Sequence, residues 1–315
     1  MKESQDKLPV ESLLEPPSLL ARGSCASILV AVFAVWSKYT FVGEDQSPGV
    51  TTEVHDYKIP LMLTIGYLVS LPLLKVFAKN YLSKTVDVKL LLTESMILYN
   101  VGQVMLNAWM VYKFIKALYS GHPFVGDIHS TAATYAVWVH YCDKYLEFLD
   151  TYFMVLRGKM DQVSFLHIYH HATIAWAWWA GITLWPGGDA YFGALLNSWI
   201  HVMMYSYYAL SLLKIRCPWK KYLTQAQLVQ FMSVLIYSVF SFRGLPQEAN
   251  WKHNAALIIQ DAEMISLFFL FMHFYNKAYN KRKSFKREVE CSESDTSSET
   301  GQISVSSAST DDASS

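Results

Sequence analysis

The sequence has little charge and few cysteines. Of its 315 residues, 17% are charged, and four are cysteine: Cys25, Cys142, Cys217 and Cys291. Soluble domains usually contain about 25% charged residues, so this content is low for one. Because the cysteines form neither metal-type pairs nor a dense framework, a disulfide scaffold and a zinc module are both disfavoured. The net charge is zero, and no nucleic-acid partner is expected.

Apolar side chains are abundant instead: 52% of the residues are hydrophobic and 15% are aromatic. Seven runs approach the ~20 residues that a helix needs to cross a bilayer. They lie at about 59–78, 90–113, 132–155, 163–185, 190–212, 225–242 and 255–275. We therefore predict an all-α fold, a polytopic membrane bundle of seven transmembrane helices. An earlier run, Ala26–Trp36, is too short to cross the bilayer comfortably, and we interpret it as an interfacial or packed segment.

The distribution of positive charge predicts three regions and an orientation. Lysine and arginine concentrate in the first, third and fifth loops and after the last span, which favours a cytosolic C-terminus. Residues 1–57 then form a luminal N-terminal segment, and 58–276 form the helical domain. Residues 277–315 are first basic and then rich in serine and acid, so we predict a disordered cytosolic tail.

Three histidines share one face of the fourth predicted span. His167, His170 and His171 are separated by three and four positions, which stacks their imidazoles within about one helical turn. Ionisable groups are costly in hydrocarbon and usually face the interior of a bundle, where they mark a functional pathway. The predicted topology places the three histidines in the first two turns from the cytosol.

Polar residues on three neighbouring spans fall at the same predicted depth. They are Lys144, Glu147, Asp150 and Thr151 on the third span; Asn197, His201, Met204, Tyr205 and Tyr208 on the fifth; and Thr224, Gln227 and Gln230 on the sixth. In a bilayer such residues must face inward and satisfy one another, which predicts a polar cavity. Purely structural roles also stay open: an ion pair that fixes packing, glutamines that join helices, and tyrosines of an interfacial belt.

Two kinds of chemistry could use the histidines. Membrane desaturases and hydroxylases hold two iron ions with several histidine boxes, whereas this chain has one HxxHH box and no HxxxH box. The alternative is acyl chemistry, in which one neutral imidazole acts as base or nucleophile and a second orients it. No metal ligands are therefore predicted. A seven-helix receptor or transporter is a third, non-enzymatic possibility that rests on the span count alone.

Four ordered motifs resemble those of the ELO family of very-long-chain fatty acid elongases. They are Lys144-Tyr-Leu-Glu147-Phe-Leu-Asp150-Thr151, His167-Ile-Tyr-His170-His171, Asn197-Ser-Trp-Ile-His201-Val-Met-Met204-Tyr205-Ser-Tyr207-Tyr208 and Thr224-Gln-Ala-Gln227-Leu-Val-Gln230. The resemblance covers about 55–280. It implies an endoplasmic-reticulum membrane enzyme that condenses malonyl-CoA with an acyl-CoA, giving a 3-oxoacyl-CoA two carbons longer, carbon dioxide and CoA.

The resemblance also implies that the substrates are the only small molecules required, without a further cofactor. The residues around the histidine box look most like those of elongases of polyunsaturated chains. The lipid bilayer and the other enzymes of the elongation cycle (ketoacyl reductase, dehydratase and enoyl reductase) are the expected partners.

Our hypothesis for the site is that His170 accepts the acyl group or activates the attacking carbon, while His167 and His171 position it. Spacing does not assign these roles individually. His201 and Asn197 are placed to stabilise an oxyanion or an enolate. The expected substrate-binding residues are Lys144, Glu147, Asp150, Asn197, Tyr205, Tyr208, Thr224, Gln227 and Gln230. Basic residues of the fifth loop could attract the CoA phosphates, or could only set the topology. The acyl tail would extend through the bundle toward the far side.

Overall fold

The computed structural model describes residues 14–41, 56–121, 123–126, 128 and 131–277, and each regular element in these ranges is a helix. The all-α prediction is therefore confirmed. The chain divides into two units, 1–268 and 269–315, and the described part of the second unit, 269–277, is helical. The tail that was predicted to be disordered lies outside the described residues, apart from Lys277, as does the segment before Leu14.

Eleven helices follow one another in the described residues. They are α1 Leu19–Thr40, α2 Lys58–Phe77, α3 Ser83–Thr85, α4 Val88–Leu91, α5 Thr93–Tyr119, α6 Thr134–Leu146, α7 Phe148–Leu156, α8 Phe165–Leu184, α9 Ala190–Leu212, α10 Leu223–Gly244 and α11 Trp251–Lys277. A π-helical turn, Ala78–Leu82, joins α2 to α3, and a 3-10 turn, Pro218–Tyr222, leads into α10.

Within the described residues, four helices are long and apolar enough to cross a membrane: Leu19–Thr40, Lys58–Thr85, Pro218–Gly244 and Trp251–Lys277. They indicate a multi-pass membrane protein, and three of them overlap predicted spans. The other predicted spans are helical as α5, α6 with α7, α8 and α9, but their polar residues lower the mean hydropathy. The predicted count of seven transmembrane helices is not confirmed.

The interpretation of Ala26–Trp36 as a segment too short to span is wrong. This run is the middle of α1, whose 22 residues make it one of the four candidate spans. The helix gains length because the hydroxyl of Ser18 accepts a hydrogen bond from the Ala21 N–H (3.2 Å) and caps its first turn. Arg22, which counts against a membrane helix in the sequence, forms an ion pair with Glu94 of α5.

The core that positions the site lies among α5, α6, α9 and α10. Its fully buried side chains include Phe114 of α5, Val137 of α6 and Tyr191 of α9, and Tyr237 of α10 packs against them. α1 is attached to α6 by the indole of Trp36, which donates to the Cys142 carbonyl (3.0 Å). These contacts hold α6, α9 and α10 in place, and predicted site residues lie on other turns of the same helices.

The third predicted span is two helices, since regular helical bonding is interrupted at Glu147 between α6 and α7. Glu147 keeps its backbone N–H on the Asp143 carbonyl (2.9 Å), which is the bond that an α-helix makes. The polar side chains of this span contact two different neighbours. Glu147 contacts α9, and Thr151 contacts α8.

Candidate active site

The three histidines of α8 lie against one another in its first two turns. The Ser164 hydroxyl accepts the His167 N–H (3.2 Å) and begins the helix there. The ring centroids of His171 lie 4.5 Å from those of His167 and 5.1 Å from those of His170. The structure thus brings together the residues that the sequence grouped, while their chemical roles stay predictions.

His167 is held by a hydrogen-bonded chain that reaches α2. Its Nε2 lies 2.8 Å from the Thr151 hydroxyl, which is also 2.8 Å from the hydroxyl of Tyr67. Tyr67 is 1% exposed and stacks on Phe148 with ring centroids 4.2 Å apart. Because Thr151 holds Nε2, the His167 ring has a fixed orientation and can support the neighbouring ring of His171. Tyr67 was missed by the sequence reasoning, because nothing in its motif distinguishes it from an interfacial tyrosine.

A buried ion pair lies on α6 and the residue that follows it. The Lys144 ammonium donates to Glu147 Oε1 (2.6 Å) and to Asn197 Oδ1 (3.1 Å). His201 Nδ1 lies 3.0 Å from the same Glu147 oxygen. The Lys144 and Glu147 side chains are each 1% exposed, so the pair is screened from solvent. The lysine–carboxylate pair that the sequence predicted is therefore present, and Glu147, rather than Asp150, is the lysine's partner.

Asp150 belongs to a second polar group. Its Oδ2 accepts a hydrogen bond from the Tyr205 hydroxyl (2.7 Å), which is 3.5 Å from the hydroxyl of Tyr99. The ring of Tyr208 meets that of Tyr205 edge-on, with centroids 5.9 Å apart. The structure therefore places Asp150, Tyr205 and Tyr208 together but off the wall of the cavity described next.

A partly open cavity lies among α8, α9, α10 and α11, and its empty space of about 710 Å³ includes the part that is open to the surroundings. His170, Asn197 and Gln230 line one end of it, and Ile174, Trp178 and Trp185 of α8 continue along its wall, with further residues from the other three helices. Its lining is largely apolar away from the His170 end. Such a space suits a long hydrocarbon chain with a polar head.

Two predicted residues of α10 do not reach this cavity. Thr224 and Gln227 are half-buried and lie outside its lining, and neither forms a hydrogen bond with another described residue. Gln230, two turns into α10, is the member of this motif that the structure brings to the cavity. The three residues do recur at regular spacing on α10, but this spacing does not show which of them reaches the cavity.

Sequence reasoning also missed a buried carboxyl group beside the ion pair. Asp143 is fully buried and accepts hydrogen bonds from the amides of Gln103 (3.0 Å) and Asn107 (3.4 Å) on α5. The signal was available, because two amide residues four positions apart in an apolar span share one helix face.

Among the described residues, one group could hold a metal ion. Asp143, Glu147 and His201 each offer a ligand atom, and these atoms lie within 4.8 Å of one another. Their chemistry does not favour a cation, however, because the Lys144 ammonium already lies 2.6 Å from Glu147 Oε1. A metal ion there would face a buried positive charge.

The wall contributed by α11 carries two further polar residues that the sequence reasoning missed. Glu263 accepts a hydrogen bond from the Thr173 hydroxyl (2.7 Å), and Gln260 lies one turn away on α11. Next to them the Tyr169 hydroxyl donates to Ser266 (3.1 Å). The stretch Gln260-Asp261-Ala262-Glu263 is visibly polar within the last predicted span, but only the packing of α11 on α8 shows that two of its residues line the cavity.

Comparisons with known proteins show which family the chain resembles. The model of the ELO: GNS1/SUR4 family matches residues 52–287. The chain is 38% identical to "Very long chain fatty acid elongase 4" of Mus musculus over 203 residues, which cover 61% of this chain and 64% of that protein. It is 38% identical to "Very long chain fatty acid elongase 5" of Xenopus laevis over 204 residues, which cover 61% and 68%. It is 37% identical to "Very long chain fatty acid elongase 2" of Rattus norvegicus over 243 residues, which cover 72% and 81%. The match to the mouse protein thus spans a little under two thirds of that relative's length.

Proposed function

Since the chain belongs to the ELO: GNS1/SUR4 family, we propose that it catalyses the condensing step of fatty acid elongation. In this reaction two carbons of malonyl-CoA are joined to a long-chain acyl-CoA, giving a 3-oxoacyl-CoA, carbon dioxide and free CoA. The observation that carries the proposal is the position of His170. Its imidazole lines one end of an apolar cavity, beside Asn197 and the buried Lys144–Glu147 pair.

In the first half of the proposed reaction, an imidazole nitrogen of His170 attacks the thioester carbonyl of the acyl-CoA. The carbon–sulfur bond breaks, the acyl group stays on the ring, and CoA leaves after taking the proton that the imidazole loses. His170 is half-buried and forms no hydrogen bond with another described residue, so its ring nitrogens are available for this step. His167, fixed by Thr151, and His171 support the ring.

In the second half, malonyl-CoA loses carbon dioxide, and the electron pair of the broken bond remains on its α-carbon as an enolate. This carbon attacks the acyl group, the bond between that group and the ring nitrogen breaks, and the imidazole of His170 leaves after taking up one proton from the solvent. Asn197 can stabilise the oxyanion, because its Oδ1 accepts from Lys144 and its Nδ2 is left to donate. Glu147 in turn holds Lys144 in place and lies beside His201.

The acyl chain occupies the cavity below His170 in this proposal. From His170 to Trp185, α8 advances roughly 22 Å at 1.5 Å per residue, and both ends line the cavity. The CoA group lies outside, where four exposed basic residues can attract its phosphates. They are Lys214, Arg216, Lys220 and Lys221.

Finer features of the proposal rest on the sequence. The motifs favour polyunsaturated chains, an endoplasmic-reticulum membrane, and the reductases and dehydratase of the elongation cycle as partners. The distribution of lysine and arginine favours a cytosolic C-terminus. We also propose that catalysis needs no metal ion or redox cofactor. Iron bound in stoichiometric amount to the purified, active protein would contradict this and favour a desaturase or hydroxylase.

The direct test is an elongation assay on membranes that contain the full chain, with radiolabelled malonyl-CoA and a panel of acyl-CoAs. We expect a labelled 3-oxoacyl-CoA two carbons longer than the substrate. His170→Ala should abolish it, whereas the matched control His273→Ala, an exposed histidine outside the cavity, should not. No extended product from folded wild-type protein would contradict the proposed function.

A further inference from the structure

Two polar side chains interrupt the apolar wall of the cavity below His170. Gln260 and Glu263 both line it and lie three positions apart on α11, which places them on one face, about one turn from each other. Neighbouring lining residues of the same helix, Leu257 and Met264, are apolar and buried. An unsubstituted fatty acyl chain gives such a polar pair nothing to bind.

The hydrogen bonds of this pair are incomplete. Glu263 is 8% exposed, and its Oε1 accepts from the Thr173 hydroxyl (2.7 Å). No other described residue donates to its second carboxyl oxygen. Gln260 Nε2 is buried and has no hydrogen-bond partner in the described part of the chain. A buried polar group without a partner is costly, so the Gln260 amide nitrogen calls for an explanation.

A role in joining two helices does not explain why Gln260 Nε2 and the second oxygen of Glu263 have no partner. Thr173 with Glu263, and Tyr169 with Ser266, already join α8 to α11, and neither contact uses Gln260 Nε2 or the second oxygen of Glu263. The unused atoms are one donor and one acceptor. A hydroxyl group offers one acceptor and one donor in return. A double bond is only a weak acceptor, and a methylene group is neither.

We infer that Gln260 and Glu263 form a specificity site for acyl chains that carry a hydroxyl group. The hydroxyl would donate to Glu263 and accept from Gln260. The inference rests on the proposed function, which puts the thioester at His170 and the chain in the cavity.

The position of the hydroxyl along the chain follows from α8. Thr173, which contacts Glu263, lies three residues beyond His170, an advance of roughly 4–5 Å along the helix axis. Gln260 lies one turn from Glu263 on α11, on the side of the cavity's far end, where Trp185 packs with Leu257. The hydroxyl therefore belongs in the half of the acyl chain that is nearer to the thioester.

The test compares acyl-CoAs of one chain length: saturated, unsaturated, and a series with the hydroxyl at successive carbons. For wild-type protein we expect kcat/KM to be at least about tenfold higher for one hydroxyacyl-CoA than for the saturated chain, because the site pairs that hydroxyl. Glu263→Leu and Gln260→Leu should bring the ratio close to one. Glu263→Gln, which keeps an acceptor, should retain part of it.

A matched control separates this effect from general damage to α11. Asp261 is a carboxyl residue of the same helix that lies outside the cavity lining and accepts from Ser238 (2.9 Å). Asp261→Asn should leave the substrate ratio at the wild-type value. A ratio that falls equally in Asp261→Asn and Glu263→Leu would overturn the specificity site.

A binding measurement keeps this inference separate from the proposed function. Non-reactive thioether analogues of the same acyl-CoAs are added to the detergent-solubilised wild-type chain and to Glu263→Leu, and thermal stabilisation is recorded. Greater stabilisation by a hydroxylated analogue, lost in Glu263→Leu, supports the specificity site even if no product forms. Equal turnover and equal stabilisation with saturated, unsaturated and hydroxylated chains would refute it, while leaving the condensing function intact.

Discussion

Replacing Lys144 with methionine should destabilise the protein strongly, because it removes the cation from a buried carboxylate. The Lys144 and Glu147 side chains are each 1% exposed, and Nζ lies 2.6 Å from Oε1. With an effective dielectric constant of about 20, the Coulomb attraction at 2.6 Å is about 6 kcal/mol. Much of this is offset by the desolvation of both ions. The expected loss from breaking the pair is therefore about 3–5 kcal/mol.

The loss can be measured as a change in the apparent Tm of the detergent-solubilised chain. For a protein of this size, each kcal/mol corresponds to about 2 °C, so Lys144→Met should lower the Tm by about 6–10 °C. All variants must be heated at one rate, because irreversible unfolding makes the apparent Tm depend on the rate. Lys79→Met, at an exposed lysine, is the control and should change it little.

A double variant tests whether the pair itself is responsible. Lys144→Met with Glu147→Gln removes both charges, so it should cost clearly less than the sum of the two single variants. Additive losses, or a Tm for Lys144→Met equal to that of Lys79→Met, would refute the account of this pair. Elongation should fall in both single variants, because Asn197 loses its orienting contact once the pair is broken.

Three further outcomes follow from the site. His170→Ala should lower product formation by at least about 100-fold with little change in Tm, since the ring makes no hydrogen bond to another described residue; retained activity would remove His170 from the mechanism. Thr151→Val should lower kcat by about tenfold with a smaller effect on KM, because His167 loses its 2.8 Å partner, and an unchanged kcat would contradict this role. Gly193→Leu should shorten the longest acyl chain that is extended, because even a Cβ added there would lie 3.4 Å from Gln260 Oε1; an unchanged product profile would place the chain elsewhere.

The helical class and the histidine cluster could be predicted because each depends on local pattern. Offsets of three and four put His167, His170 and His171 on one face whatever their surroundings. The spacing of Lys144 and Glu147 likewise made an ion pair a natural expectation, and the structure contains it. The length of α1 was harder to predict, because Arg22 and the small and polar residues at its ends interrupt the apolar run. The residue that pairs with Arg22, Glu94, lies on a different helix.

What the sequence could not provide is the pairing between distant helices. The sequence left open whether Glu147 or Asp150 pairs with Lys144, and the packing of α9 places the Tyr205 hydroxyl on Asp150. Gln260 and Glu263 lie outside the four motifs, and they become site residues only because α11 lines the cavity beside α8. Depth in the cavity is a tertiary property that spacing does not encode.

The central claim, that His170 carries the acyl group, is tested most directly by leaving malonyl-CoA out. Purified protein is mixed with an acyl-CoA alone, and the released CoA and the mass of the peptide containing His170 are measured. The account predicts about one CoA released per active site and an acyl group on that peptide, both lost in His170→Ala. Release of CoA only when malonyl-CoA is present, or an acyl group on another residue, would contradict it.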